Sequence, residues 1–99
     1  MGPIVVSRHK GALEWLQKHH PSLAEGATVI TGNATPDDVK GKVVIGMLPM
    51  RLAVLASVYV EIEIDIPFAL RGKEVDLAQM EALGAKLAAY KVQNVPVPL

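Results

Sequence analysis

The sequence predicts an α/β protein in which one mostly parallel sheet of about five strands lies between two layers of helices. Three observations predict it: short apolar runs typical of buried strands, apolar residues at helical spacing between them, and one strictly alternating stretch. In chain order the elements run β-α-β-β-α-β-α-β. Because strands that alternate with helices form parallel sheets, we expect a single Rossmann-like three-layer domain over residues 1–99.

The first half of the chain is predicted to supply three strands, the first of which is expected to be buried on both faces. They share apolar or β-branched runs bounded by proline or glycine, at Ile4–Val6, 27–31 and 43–45. A helix is predicted at about 10–20 from apolar residues three and four apart, a single helical turn at 36–39, and a second helix after the third strand at 49–57, with Pro49 at its first position.

The stretch from Tyr59 to Ile66 alternates between apolar and polar residues, which predicts a strand with one solvated face. Glu61, Glu63 and Asp65 share that face. Paired carboxylates at this spacing suit acid–base catalysis or a metal, but charge that guards an edge strand explains them more simply.

The last third of the chain is predicted to form a helix and an edge strand. Asp76 is expected to cap the helix, with Gln79 three residues on, and its apolar stripe continues through Leu87 and Tyr90. A final strand over 92–97 is expected at an edge of the sheet, because its prolines cannot donate to a ladder.

Composition excludes several functions. The chain has 51% hydrophobic residues and ten residues of each charge, so its net charge is zero and a grip on duplex nucleic acid is not expected. It has no cysteine, which excludes disulfides and cysteine zinc sites. The histidines are too far apart for one ion, so no metal site and no cofactor are expected. No apolar run is long enough for a membrane span, and we expect a cytoplasmic protein.

Three segments are expected to meet at the carboxyl edge of the sheet, where ligands of parallel sheets bind. The first follows the first strand, with Ser7, Arg8, His9 and Lys10 leading into a helix whose free N–H groups favour an anion. Ser7 alternatively only caps the helix, and the basic side chains alternatively only face solvent.

The second segment contains Gly46, Leu48 and Pro49, where glycine allows close backbone approach to a ligand; a tight turn before a helix is the alternative. The third holds Arg71, Gly72 and Lys73, a glycine-pivoted loop that is either a lid with two phosphate donors or a solvated loop.

These three segments resemble small CRISPR-associated proteins of type III systems. That family's pattern is S-R-H-P-G-A, G-T-L-P and R-G-x-E-L in the same order, and the resemblance covers nearly the whole chain. Lys10 stands where the pattern has Pro, Met47 where it has Thr, and Val75 where it has Leu. The Met47 departure removes a hydroxyl, so no polar role is expected at that position.

The resemblance implies a ring nuclease related to the CRISPR-associated Rossmann fold, which binds cyclic tetra-adenylate and opens the ring without a metal. It implies Arg8, His9 and Lys73 as catalytic residues and the other motif residues as ligand contacts. A ring with a two-fold axis suits a homodimer, because a two-fold dimer presents the same surface twice. Two alternatives remain open: a sponge that binds the ring without cleaving it, and an interaction protein without nucleotide affinity.

Overall fold

The computed structural model describes residues 2–98, and these contain one five-stranded sheet with the strand order β2-β1-β3-β4-β5. The strands are β1 Ile4–Val6, β2 Thr28–Ile30, β3 Val43–Gly46, β4 Val58–Glu63 and β5 Lys86–Tyr90. Strands β1 to β4 run parallel to one another, and β5 pairs antiparallel with β4. The predicted α/β class, with a mostly parallel sheet of five strands, is confirmed.

Short helices cover both faces of this sheet. They are α1 Lys10–His19, α2 Pro21–Ala24, α3 Pro36–Val39, α4 Met50–Ala53 and α5 Leu77–Ala82, with a 3₁₀ turn at Phe68–Leu70. Successive strand residues point to opposite faces, and this alternation divides the apolar core in two. One face packs under α3 and α4, with Val39 and Val44 fully buried. The other packs under α1 and α5, around Trp15 and Ile45.

The helix layer made by α1 and α5 is also joined at its surface. The Glu81 carboxylate lies 2.7 Å from Lys18 Nζ and 2.7 Å from His19 Nε2. The hydrogen bond from Lys18, and then that from His19, lower the pKa of Glu81 below its usual value. This ion pair therefore ties the end of α1 to α5 while the carboxylate is charged.

Four expectations about the middle of the chain are wrong. The helix after Pro49 ends at Ala53 instead of near residue 57, and the alternating strand ends at Glu63 instead of Ile66. Tyr59, expected on a solvated face, is only 5% exposed because the layer of α3 and α4 covers that face. β4 lies between β3 and β5, so it is not the edge strand that was expected, although its residues after Val60 extend past the end of β3.

The end of the chain also differs from the prediction. Asp76 caps α5 together with Gln79 as expected, but the helix ends at Ala82. Gly84 follows with a positive φ of 72°, and Ala85 N–H reaches back to the Met80 carbonyl at 3.1 Å, which together close the helix. Leu87 and Tyr90, expected on the helix, lie on β5, and the strand expected at 92–97 does not form.

Candidate functional site

The candidate site lies at the topological switch point of the sheet, where the chain leaves two neighbouring strands in opposite directions. From β1 the chain passes to β2 on one side, whereas from β3 it passes to β4 on the other. The helices that follow these strands lie on opposite faces, so a crevice opens outside the strand ends Val6 and Gly46. Ligands of open parallel sheets bind in such crevices.

A cavity of about 600 Å³ occupies this crevice, a volume typical of small-molecule sites. One side is apolar and is formed by α1, the end of β4 and the segment before α5, including Leu13, Ile62, Ile64 and Val75. The other side is built from the strand-to-helix turns. The polar and turn-forming residues that line the cavity are Ser7, Arg8, His9, Thr31, Gly32, Asn33, Gly46, Pro49, Arg51, Glu61 and Lys73.

The first predicted segment enters the cavity at the start of α1. Ser7 Oγ accepts a hydrogen bond from His9 N–H at 3.2 Å, but the N-cap of α1 is His9, so the alternative in which Ser7 only caps the helix is wrong. No side chain caps α1, which leaves its first N–H groups available to a ligand. Arg8 and His9 line the cavity, whereas Lys10 is exposed and lies outside its lining.

The turn after β3 is fixed by two features. Gly46 has a φ of 140°, and a Cβ at this position would collide with the Val6 carbonyl oxygen of β1. Tyr59 Oη accepts from Leu48 N–H at 3.0 Å and donates to the Gly46 carbonyl at 2.8 Å. Burial raises the pKa of Tyr59 above its usual value, so the hydroxyl keeps the proton that it donates. Gly46, Leu48 and Pro49 all line the cavity.

The third segment is held against the first. Gly11 of α1 lies so close to the Val75 carbonyl that a Cβ there would collide with it, and His9 Nδ1 is 3.2 Å from Glu74 Oε1. This contact brings Lys73 to the cavity.

Two other predicted residues of this loop lie next to the cavity. Arg71 Nε donates to the Ile66 carbonyl at 3.3 Å, and both Arg71 and Gly72 line a smaller adjoining pocket of about 380 Å³. They and Lys10 are the predicted site residues that the structure does not bring to the main cavity.

Three cationic side chains that line the cavity, called here the cation lip, are available to bind an anion. They are Arg8, Arg51 and Lys73, and within residues 2–98 none of them has a carboxylate at ion-pair distance. Charge-assisted hydrogen bonds from such groups are the strong contacts of phosphate sites. The site can therefore hold a small anion although the net charge of the chain is zero.

Sequence reasoning missed several residues of this site. Arg51 was not expected there, although it lies in the first turn of a helix that starts at the cavity. Gly32 and Asn33 were recognised as the turn that ends β2 but were not predicted as site residues. Because ligands bind beyond the carboxyl ends of parallel strands, the rule that indicated the turns after β1 and β3 would also have indicated this one. Tyr59 carried no signal, because its role depends on a neighbouring strand.

The described residues show two absences. None of the helices within 2–98 is long and apolar enough to cross a membrane. The same part of the chain contains no cluster of three histidine, aspartate or glutamate side chains suited to a metal ion.

The fold and the site together define an α/β domain with a cavity at the switch point between β1 and β3, and Arg8, Arg51 and Lys73 line this cavity. Residues 4–93 match the model of the family described as "Putative CRISPR-associated protein (Cas_VVA1548)". Because the match covers most of the chain, the protein belongs to this CRISPR-associated family. Comparisons with curated proteins and with solved structures found no match.

Proposed function

We propose that this protein is a ring nuclease of type III CRISPR systems, which binds cyclic tetra-adenylate and opens it, and so ends the signal that activates antiviral nucleases. The observation that carries the proposal is the convergence of the three motif segments on one cavity with Arg8, His9 and Lys73 in its lining. Membership of a CRISPR-associated family supports the biological setting.

The mechanism proposed is attack of a ribose 2′-OH on the adjacent phosphorus. The new 2′-O–P bond forms as the P–O5′ bond breaks, giving a 2′,3′-cyclic phosphate and a 5′-hydroxyl. The 2′-OH loses a proton and the leaving 5′-oxygen gains one, so the reaction needs a base and an acid but no metal. Alignment of the attacking and leaving oxygens is a positioning effect, and stabilisation of the phosphorane charge is an electrostatic one.

The cations of the cavity suit these roles. Arg8 and Lys73 have no competing carboxylate within the described residues, so both are free to stabilise charge on the phosphorus oxygens. His9 is the proposed proton carrier, because an imidazole can both accept and donate a proton and its Nε2 is free when Nδ1 contacts Glu74. Ser7 and the free N–H groups of α1 are the proposed phosphate contacts.

A homodimer is part of the proposal. One cavity of about 600 Å³ suits a part of a four-nucleotide ring, and a two-fold dimer would offer the ring two such cavities. The exposed side chains of Met47 and Met50, 78% and 65% accessible beside the turn after β3, provide an apolar surface for this contact. Sedimentation with and without the ring measures the subunit number.

The test is incubation of the purified protein with cyclic tetra-adenylate in EDTA, followed by chromatography. We expect linear products ending in 2′,3′-cyclic phosphate. Arg8→Ala and Lys73→Ala should each lower kcat by about a hundredfold or more, as removal of one charge-stabilising donor does. Lys86→Ala is the control, since Lys86 lies on β5 outside the cavity. Intact ring that stays bound would identify a sponge, and absence of binding would refute the proposal.

A further inference from the structure

The cavity that carries the cations also contains one carboxylate that the proposed reaction does not use. Glu61 is the only acidic residue among the described residues that line it, whereas Arg8, Arg51 and Lys73 supply positive charge. Within residues 2–98 the Glu61 carboxylate has neither a cation at ion-pair distance nor a hydrogen-bond partner. An exposed, unpartnered carboxylate in an anion site requires a separate explanation.

The sheet itself presents Glu61 to the cavity. β3 pairs with β4 only as far as Val60, opposite Ile45, whereas β5 pairs with β4 through Glu63. The last residues of β4 thus extend past the end of β3 and are held on one side only, with Glu61 opposite Ala88. This overhang holds Glu61 in a regular strand at the edge of the cavity, not on a loose loop.

The Glu61 carboxylate can form favourable contacts with only some chemical groups of a ligand. An ionised carboxylate only accepts hydrogen bonds, and it repels a phosphate, so the phosphates belong at the cation lip. Leu13, Ile62 and Ile64 line the same cavity from the opposite face of the sheet, where they form an apolar wall of the kind that takes a flat ring. A ligand that fits both regions has phosphates at one end and an apolar ring with an N–H donor at the other.

We propose that Glu61 accepts a hydrogen bond from the exocyclic amine of an adenine base of the bound ring, and so reads the base. The inference rests on the proposed function and extends it from cleavage to base selection. Glu61 acts here as a specificity residue, and the cations act on the phosphates.

The experiment compares two cyclic ribonucleotide tetramers, cyclic tetra-adenylate and the same ring built from unsubstituted purine, which lacks only the amines. Both contain the same phosphates and 2′-hydroxyls, so the ratio of their kcat/KM values isolates recognition of the amine; for a protein that binds without cleaving, the ratio of Kd values replaces it. For the wild type we expect this ratio to favour the adenine ring by about tenfold or more, which is the preference that one hydrogen bond to a charged group gives.

Glu61→Ala should bring this ratio close to one. Glu63→Ala is the matched control, because Glu63 lies two residues along the same strand, accepts from Tyr90 Oη and does not line the cavity; its ratio should equal that of the wild type. Both residues lie on the surface of β4, and circular dichroism checks that the variants fold.

Each other outcome overturns the inference. An unchanged ratio in Glu61→Ala, with cyclic tetra-adenylate still bound or cleaved, refutes base reading alone and leaves the proposed function standing. Equal loss of kcat for both rings would instead assign Glu61 to the chemical step. Absence of binding by the wild type would refute the proposed function and the inference with it.

Discussion

The hydroxyl of Tyr59 offers a sharp test of how the turn after β3 is held. Tyr59→Phe removes one atom from a buried side chain and leaves the ring packed in its core cluster. The Leu48 N–H, on a residue only 8% exposed, loses its acceptor at 3.0 Å, and the Gly46 carbonyl loses its donor. A buried N–H left without a partner costs about 1–3 kcal/mol, so we expect the free energy of unfolding to fall by about 2 kcal/mol. In a domain of this size that lowers Tm by roughly 8–16 °C.

Urea denaturation followed by circular dichroism measures this loss, with Tyr90→Phe as the matched control. Tyr90 Oη donates to Glu63 at 2.9 Å on the surface, so its removal should cost less than about 0.5 kcal/mol. A Tyr59→Phe protein as stable as the control would refute the assignment of Tyr59 as the brace of the turn. Wild-type ligand affinity in a destabilised Tyr59→Phe protein would show that the brace serves stability only.

Three further predictions concern residues outside that brace. Gly46→Ala should lower the free energy of unfolding by about 1–3 kcal/mol in a denaturant titration, since its φ of 140° strains any side chain and its Cβ would meet β1; no loss would contradict the turn geometry. Arg51→Ala should raise the Kd for cyclic tetra-adenylate about three- to tenfold, measured by calorimetry, because the substitution removes one cation from the cavity. An unchanged Kd would exclude Arg51 from the site. Glu81→Gln should destabilise the protein at neutral pH by removing the ion pair with Lys18 and weakening the hydrogen bond with His19. Because the folded pKa of Glu81 is lowered, that stabilisation is full above the usual value of 4.5 and is lost as the pH falls below it, so the two stability curves should meet in acid.

The sequence allowed the parts of the fold that depend on local pattern to be predicted. The predictions of a strand at Ile4–Val6 and of a helix cap at Asp76 are correct, because a buried strand and a helix start each depend on a few neighbouring residues. The end of α5 was missed although Gly84 was a usable signal, since glycine after a helix favours the positive φ that closes it.

The burial of Tyr59 could not be predicted in the same way. Its strand alternates as a half-solvated strand does, and only the layer of α3 and α4 buries that face. Such burial depends on tertiary packing, which periodicity does not contain. Arg51 was missed for a related reason, because the helix that contains it had to be placed relative to the cavity before the side chain had a role.

The motif residues divide by what they contact, and the division bears on how the site works. Gly11 and Gly46 lie where a Cβ would collide with a neighbouring carbonyl, so both are needed to bring the segments together whatever ligand binds. Arg8 and Lys73 make no ion pair within the described residues and contribute no comparable packing, so a structural role does not account for them. Substitution of the glycines should therefore lower stability and activity together, whereas substitution of the cations should lower binding and cleavage without lowering stability.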